Sequence, residues 1–378
     1  MVNMTKKACH YVNLLYFQTN TYMNYVSLHS KQEKKTNMNI SAFMMGVGTA
    51  FFTIFALHIL LWRKNRTRFQ NAIGYTMAVW AVCCLKDIIL TFPGMYTDQV
   101  LHWILIIDGW SALTYTVLLA EVVTPGWMTL RRLLLFCLPF AGFTITYAIR
   151  PTETTVYAYG LFLWCYAWLV VIVGYVKMRR YLNYIQKNYS NIDEIDVSWL
   201  RPVFLFAIIG QLAWLFISFY TNVWADIIYY LFIIVLWCMV LQYSWNFHPI
   251  TVEDDQKSTN KVNSHNGLPE GMLERLIEEE QLYLKPNLTL NDLAQALGSN
   301  RTYVSNYLSQ VLHQTFYDYI NQMRIERMSI PLLREHPEYK LDYVASQSGF
   351  VSMSTFRRAF FKFTGYTPGQ YTQDFLSM

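Results

Sequence analysis

The sequence predicts an all-α protein built from an N-terminal seven-helix transmembrane bundle and a C-terminal two-lobed tandem helix-turn-helix domain. Three observations carry this reading. Between residues 40 and 243 the chain breaks into seven apolar runs, each close to the ~20 residues a helix needs to cross ~30 Å of hydrocarbon. Charge is also distributed unevenly: residues 40–243 hold 13 basic and 9 acidic side chains, whereas the much shorter stretch 268–378 holds 10 and 12. Beyond residue 268 the apolar period becomes helical, and one helix–glycine–helix pattern occurs twice, around Gly298 and Gly349. A composition of 54% hydrophobic and 15% charged residues, against ~25% charged in an average soluble domain, makes a single soluble globule a poor reading. The 16 glycines and 11 prolines are too few for a collagen-like or low-complexity chain.

Residues 1–39 read as an N-terminal tail. Their longest apolar stretch, near 11–17, is short and interrupted by Asn13, so no secretory pattern is present and the first span serves as its own insertion signal. Met38 immediately precedes that span; it is either the true start, with the preceding residues a mis-called extension, or part of an ordered extracellular tail. The expected spans are 40–62, 72–92, 100–122, 133–148, 156–176, 203–221 and 226–243 within a membrane domain of 40–243. The fourth is the shortest and contains Pro139, which a membrane helix tolerates when neighbours satisfy the freed carbonyl, so six is the alternative count. Alternate loops differ sharply in basic residues. One set carries Arg63, Lys64, Arg66, Arg68, Arg131, Arg132, Lys177, Arg179, Arg180, Lys187 and Arg201, and the other only Arg150. Basic loops stay on the cytoplasmic side, which puts the N-terminus outside and everything past residue 244 in the cytoplasm of a multi-pass inner-membrane protein. Lys31, Lys34 and Lys35 oppose this weakly.

Charges inside spans cost a few kcal/mol or more when unpaired, so they are either structural pairs or functional sites. Lys86 and Asp87 lie in the second span and Asp108 in the third. Lys86 and Asp108 fall at similar depths, roughly 10 Å inward from the loop between these spans at helical rise. One reading is an interhelical ion pair. The other is an outward-facing sensor pocket that also uses His102. Five of six cysteines lie in apolar runs, and neither a disulfide framework nor a zinc knuckle is implied. No HExxH, GxSxG or phosphate-binding glycine loop occurs, so the chain reads as a non-enzyme with no cofactor and no metal site.

Residues 244–267 are polar and read as a cytoplasmic linker to a domain at 268–378. There Thr289 is placed to cap a helix with Asp292 three residues on. Leu290, Leu293, Ala294 and Leu297 then form one buried face. Gly298 ends the helix with a left-handed cap. The next helix buries Val304, Tyr307, Leu308 and Val311, leaving Asn300, Arg301, Thr302, Ser305, Asn306 and Ser309 outward. The pattern repeats: Leu341, Val344 and Ala345, a turn at Gly349 with Phe350 beneath it, then a helix capped by Ser352 that buries Phe356, Ala359, Phe360 and Phe363. Its outer face offers Met353, Ser354, Arg357, Arg358 and Lys362. A connecting helix fits at about 316–333. A glycine turn leading into a second helix with a polar face is the plan by which such a helix enters the major groove.

Those residues resemble the AraC-type DNA-binding domain over 273–371. The resemblance is carried by Leu293-Ala294 through Gly298, Tyr319-Ile320 with Arg324-Ile325, Val344-Ala345 through Gly349-Phe350, Ser352 through Ser354, Phe356, Arg358, Phe360, Gly365, Thr367-Pro368 and Tyr371. It implies two lobes whose recognition helices reach successive major grooves, and the combination with a multi-span half is similar to the membrane-bound regulators of this family. Three positions depart from the pattern. Phe361 stands where a lysine is usual, His313 where a glycine is usual, and Pro331 interrupts the connecting helix, where it is expected to kink it. The domain is not basic overall, but from Ser299 onward it holds 8 basic and 6 acidic residues.

The expected DNA-binding residues are Asn300, Arg301, Thr302, Ser305, Asn306, Ser352, Ser354, Arg357, Arg358 and Lys362, with Asn300, Arg301, Ser354 and Arg357 the candidates for base edges and the rest positioning the domain on phosphates. Each has a plainer reading as a solvated or packing side chain. The whole reads as a membrane-anchored, sequence-specific transcription regulator. Its partners would be promoter double-stranded DNA, the lipid bilayer, a small-molecule or protein signal, a second copy of the chain and RNA polymerase. The rival readings are a membrane transporter or enzyme with a regulatory C-terminal domain, and an anchor tethering DNA or a protein to the membrane.

Overall fold

Helices make up the fold. The computed structural model describes residues 31–217, 223–250 and 271–376, apart from 65, 93, 94, 96, 246 and 249. Among these residues there is no β-strand, only an isolated antiparallel bridge between Tyr189 and Thr289. Contacts divide the chain into two units: residues 1–178 with 198–251, and residues 179–197 with 252–378. Residues 179–197, expected to belong to the membrane domain, therefore cluster with the C-terminal part. The expected tail at 1–30 and most of the linker, 251–267, lie outside the described residues, whereas residues 31–39 of that tail form the first turns of a helix.

The first unit contains α1 (Lys31–Leu57, continued by a π-turn at His58–Trp62), α2 (Arg68–Asp87), α3 (Asp98–Gly109), α4 (Ala112–Val123), α5 (Leu130–Ile149), the first part of α6 (Glu153–Asn188), α7 (Leu200–Ile217) and α8 (Val223–Ser244). Helix α1 packs on α2 and α8, and α2 on α4. Thr67 caps α2 in a full capping box with Gln70, which explains a sharp start without an apolar signal. An aromatic cluster of Phe140, Tyr147, Tyr159 and Tyr166 with Ile106 and Leu113 ties α3, α4, α5 and α6 together. Large apolar side chains also point outward: Leu134 and Leu138 on α5 and Leu161 on α6 are each about 60% exposed.

The expected third span, 100–122, is interrupted at Trp110-Ser111. Tyr159 supplies the reason. Its hydroxyl donates to the Ile106 carbonyl at 3.2 Å, and the Trp110 amide turns to Ile107 instead. The ring lies so close to Gly109 that any Cβ there would collide with it. Four described stretches are long and apolar enough to cross a membrane by length and composition, Ala42–Trp62, Asp98–Val123, Leu130–Ile149 and Glu153–Asn188, while Leu200–Gly210 and Tyr230–Ser244 are shorter apolar helices. Helix α6 runs well past the expected end of the fifth span, so Lys177, Arg179, Arg180 and Lys187 sit on a helix rather than in a loop.

The second unit holds the last turns of α6, α9 (Met272–Glu279), α10 (Leu290–Ala296), α11 (Arg301–Asn306), α12 (Phe316–Arg324), α13 (Ile330–Glu335), α14 (Leu341–Gln347), α15 (Met353–Thr364) and α16 (Pro368–Leu376). Two cores form its lobes. The first gathers Leu273, Ile277, Leu290, Leu293, Ala294, Leu297, Val304 and Leu308, and the second Val344, Ala345, Phe350, Phe356, Phe360 and Tyr371. Val311, expected in the buried stripe, is 57% exposed. Residues Tyr307–Val311 form a π-turn, which adds a residue per turn and rotates Val311 off the core face. Pro331 does not interrupt the connection either. A π-turn at Ile325–Ser329 precedes it, with the Ile330 amide bonded to the Ile325 carbonyl, and Pro331 falls in the first turn of α13, where a missing N–H leaves nothing unsatisfied.

Candidate nucleic-acid interface

Each lobe presents its second helix through a short chain of local causes. In the first lobe the Thr289 hydroxyl and the Asp292 carboxylate complete a reciprocal capping box. Gly298 then adopts φ +60° and lets the Ser299 amide reach the Ala294 carbonyl. The chain turns and α11 begins, with the Asn300 side chain accepting from the Tyr303 amide at 2.7 Å. Asn300, a candidate for base contact, is thus employed as the N-cap of the helix it was expected to read with. Thr302 and Asn306 are exposed and Ser305 is half-buried.

In the second lobe Gly349 has φ +82°, and a Cβ there would lie 2.6 Å from the Leu284 carbonyl oxygen, so both backbone and space demand glycine. Ser352 caps α15 by accepting from the Thr355 amide. Ser354, Arg357, Arg358 and Lys362 are exposed, whereas Met353 packs partly against the core. Lys362 forms an ion pair with Asp318 of α12 at 2.6 Å. Arg357 makes no hydrogen bond or ion pair with any described residue, and this leaves its guanidinium available. His313, in place of the usual glycine, has φ +53°: the backbone keeps the left-handed turn although the residue has a Cβ.

The expected face is not empty. Residues 188–193, which begin at the last residue of α6, run across the unit and touch both lobes. Asn188 Oδ1 accepts from Arg301 Nε at 2.8 Å, and the Arg301 guanidinium lies over the Tyr184 ring. Asp193 Oδ1 accepts from the Thr355 hydroxyl, and Arg358 Nη2 lies 3.7 Å from the same oxygen. Between these ends, the Ser190 amide and hydroxyl both donate to the Leu288 carbonyl, at 3.1 and 2.7 Å. Arg324 anchors the middle. Its buried guanidinium donates to the carbonyls of Tyr283 and Lys285 at 2.7 Å and of Pro286 at 3.2 Å, and to Ser190 Oγ at 3.3 Å. Burial lowers its pKa to about 10, which leaves it charged at neutral pH.

Sequence reading missed Asn188, Ser190 and Asp193 entirely. They carry no periodic or motif signal, and their partners lie 98 to 162 residues away. The cluster Asp193, Glu194 and Asp196 close to a helix end was the only available hint.

In the first unit, the structure brings Lys86, Asp87 and Asp108 together. Lys86 Nζ lies 2.7 Å from Asp108 Oδ1 and also contacts Asp87, and the Tyr230 hydroxyl donates to Asp87 Oδ2 at 3.3 Å. His102 is not joined to this cluster: its Nδ1 faces the Tyr147 hydroxyl at 3.2 Å.

Residues 293–374 match a protein family described as a helix-turn-helix domain. Over 84 residues, 22% of this chain, the sequence is 36% identical to the melibiose operon regulatory protein of Escherichia coli (strain K12), of which the match covers 27%. It is 30% identical over 94 residues, 25% of this chain, to an uncharacterized HTH-type transcriptional regulator of Staphylococcus aureus (strain COL), of which the match covers 12%. The similarity therefore spans only a minor part of each relative. No solved structure matches the chain.

Proposed function

We propose that the protein is a membrane-anchored transcription regulator of the AraC type, whose second unit, with its match to a helix-turn-helix family over residues 293–374, reads promoter DNA under the control of its apolar first unit. The observation that carries this is the pair of glycine-turned helices, α11 and α15, each with one face sealed in a core and a polar face left outside. Arg357 is the side chain best placed for a base edge, since an arginine forms two parallel bonds to guanine. Thr302, Ser354 and Arg358 suit phosphate positioning. The apolar, outward-facing helices of the first unit support insertion in a bilayer, with the loop asymmetry favouring an external N-terminus and a cytoplasmic second unit. The half-buried Lys86–Asp108 pair is the candidate signal site, because a charged cluster among apolar helices is where a ligand or proton would change packing.

Chromatin immunoprecipitation with sequencing tests this on the full chain. Sharp promoter peaks are expected for the parent, and Arg357→Ala should lose specificity by about 1–3 kcal/mol at one base position, smearing or removing the peaks. An absence of discrete peaks for the parent would refute the reading. A reporter fused after residue 250 should be active only in the cytoplasm, and external activity would refute it equally.

A further inference from the structure

Residues 188–193 engage Arg301 at the start of α11 and Thr355 and Arg358 on α15, polar groups of both lobes at once. From this we infer that they form a built-in competitor for DNA, an acidic strap that occupies the reading helices until it is displaced. The inference rests on the DNA-binding reading of α11 and α15.

The chemistry of the contacts sets the direction. Asn188 presents a carbonyl oxygen to Arg301, the first residue of α11, and Asp193 presents a carboxylate oxygen to Thr355 and Arg358 of α15. An anionic oxygen against a hydroxyl and a guanidinium is what a DNA phosphate offers the same groups. One oxygen excludes the other. The strap is also docked rather than merely adjacent. Ser190 is fully buried and bonds Leu288, and Asn191 Nδ2 donates to Asn287 Oδ1 at 2.9 Å. Glu194 and Asp196 add negative charge to the same stretch, which opposes an incoming polyanion.

Connectivity makes the competition controllable. The strap continues directly from α6, whose residues up to 178 belong to the first unit, and the chain returns to that unit at Ser198. Tethering at both ends keeps the strap at high effective concentration. A shift of either end changes how well it competes, with no new contact required.

The test uses the full chain in lipid nanodiscs and a fluorescent duplex carrying a promoter that the parent occupies in cells, against a scrambled duplex of the same length. Asn188→Ala with Asp193→Ala should bind the promoter roughly three- to tenfold more tightly, the range expected when a few part-exposed polar contacts stop competing. Asn191→Cys with Asn287→Cys provides a reversible lock. Oxidised, this variant should bind at least about tenfold more weakly than when reduced, while the parent, with its native cysteines, should be indifferent to the same treatment. Weaker binding by the alanine variant, or equal binding by the locked and reduced forms, would show that the strap braces the lobes or is irrelevant, and would overturn the inference while leaving DNA reading intact. No binding by any form, reduced or unstrapped, would overturn DNA reading and the strap together.

Discussion

Arg324 offers the sharpest test of what holds the second unit together. It is 1% exposed, and its guanidinium is shared among carbonyls of residues 283–286 and Ser190. Replacement by methionine keeps an unbranched stem but ends short of the guanidinium, leaving those acceptors without a donor. The two shortest bonds, both 2.7 Å, are charge-assisted and each worth about 1.5–3 kcal/mol. Relief of the buried cation's desolvation offsets part of that, so a net loss of about 3 kcal/mol is expected. That is a large fraction of the ~5–15 kcal/mol that stabilises a domain, and at 1.4 kcal/mol per decade it corresponds to opening about 10²-fold more often. Hydrogen exchange on the full chain reads this directly. Peptides covering 282–288 and α12 should exchange about two orders of magnitude faster in Arg324→Met, through more frequent opening of the unit. Arg324→Lys should recover less than half of the protection, because an ammonium is a point charge and cannot span the set. Exchange within about fivefold of the parent, a change of only ~1 kcal/mol, would refute the assignment of Arg324 as the anchor.

Three further outcomes are expected. His313→Gly should stabilise the first lobe by about 0.5–1 kcal/mol, since φ +53° costs a residue with a Cβ ~1–2 kcal/mol and glycine's added chain entropy returns part of that; slower local hydrogen exchange checks it. Gly349→Ala should destabilise the second lobe by at least ~2 kcal/mol, because φ +82° and the Leu284 carbonyl 2.6 Å from the new Cβ act together; unchanged exchange of α14 would contradict this. Lys86→Ala alone should lower folded yield more than Lys86→Ala with Asp108→Ala, because the single change strands a carboxylate beside Asp87; additive losses in the double variant would remove the pairing.

The features legible in the sequence are those set by neighbours along the chain. Thr289 and Asp292 form their capping box, Ser352 caps α15, and Gly298 and Gly349 take positive φ, because caps and turns are decided within four residues. The stripe Leu290, Leu293, Ala294 and Leu297 is buried as its spacing requires. The positive φ of His313 agrees with its standing at a glycine position. Even the Lys86–Asp108 pair was accessible, since depth along two adjacent helices follows from rise per residue alone.

Tertiary structure decided the rest. One π-turn moved Val311 out of the core and a second let the connecting helix accommodate Pro331, and such π-turns have no period of their own in sequence. Tyr159 broke a helix that composition reads as continuous, by taking one carbonyl from across the bundle. His102 found Tyr147 rather than the charged cluster. Most consequentially, Arg301 and Arg358, outward on a helical wheel, and Thr355, on the buried side of α15, meet Asn188 and Asp193 from more than a hundred residues away. A helical wheel gives the face on which a side chain lies, but what covers that face is set by packing between segments that share no local pattern.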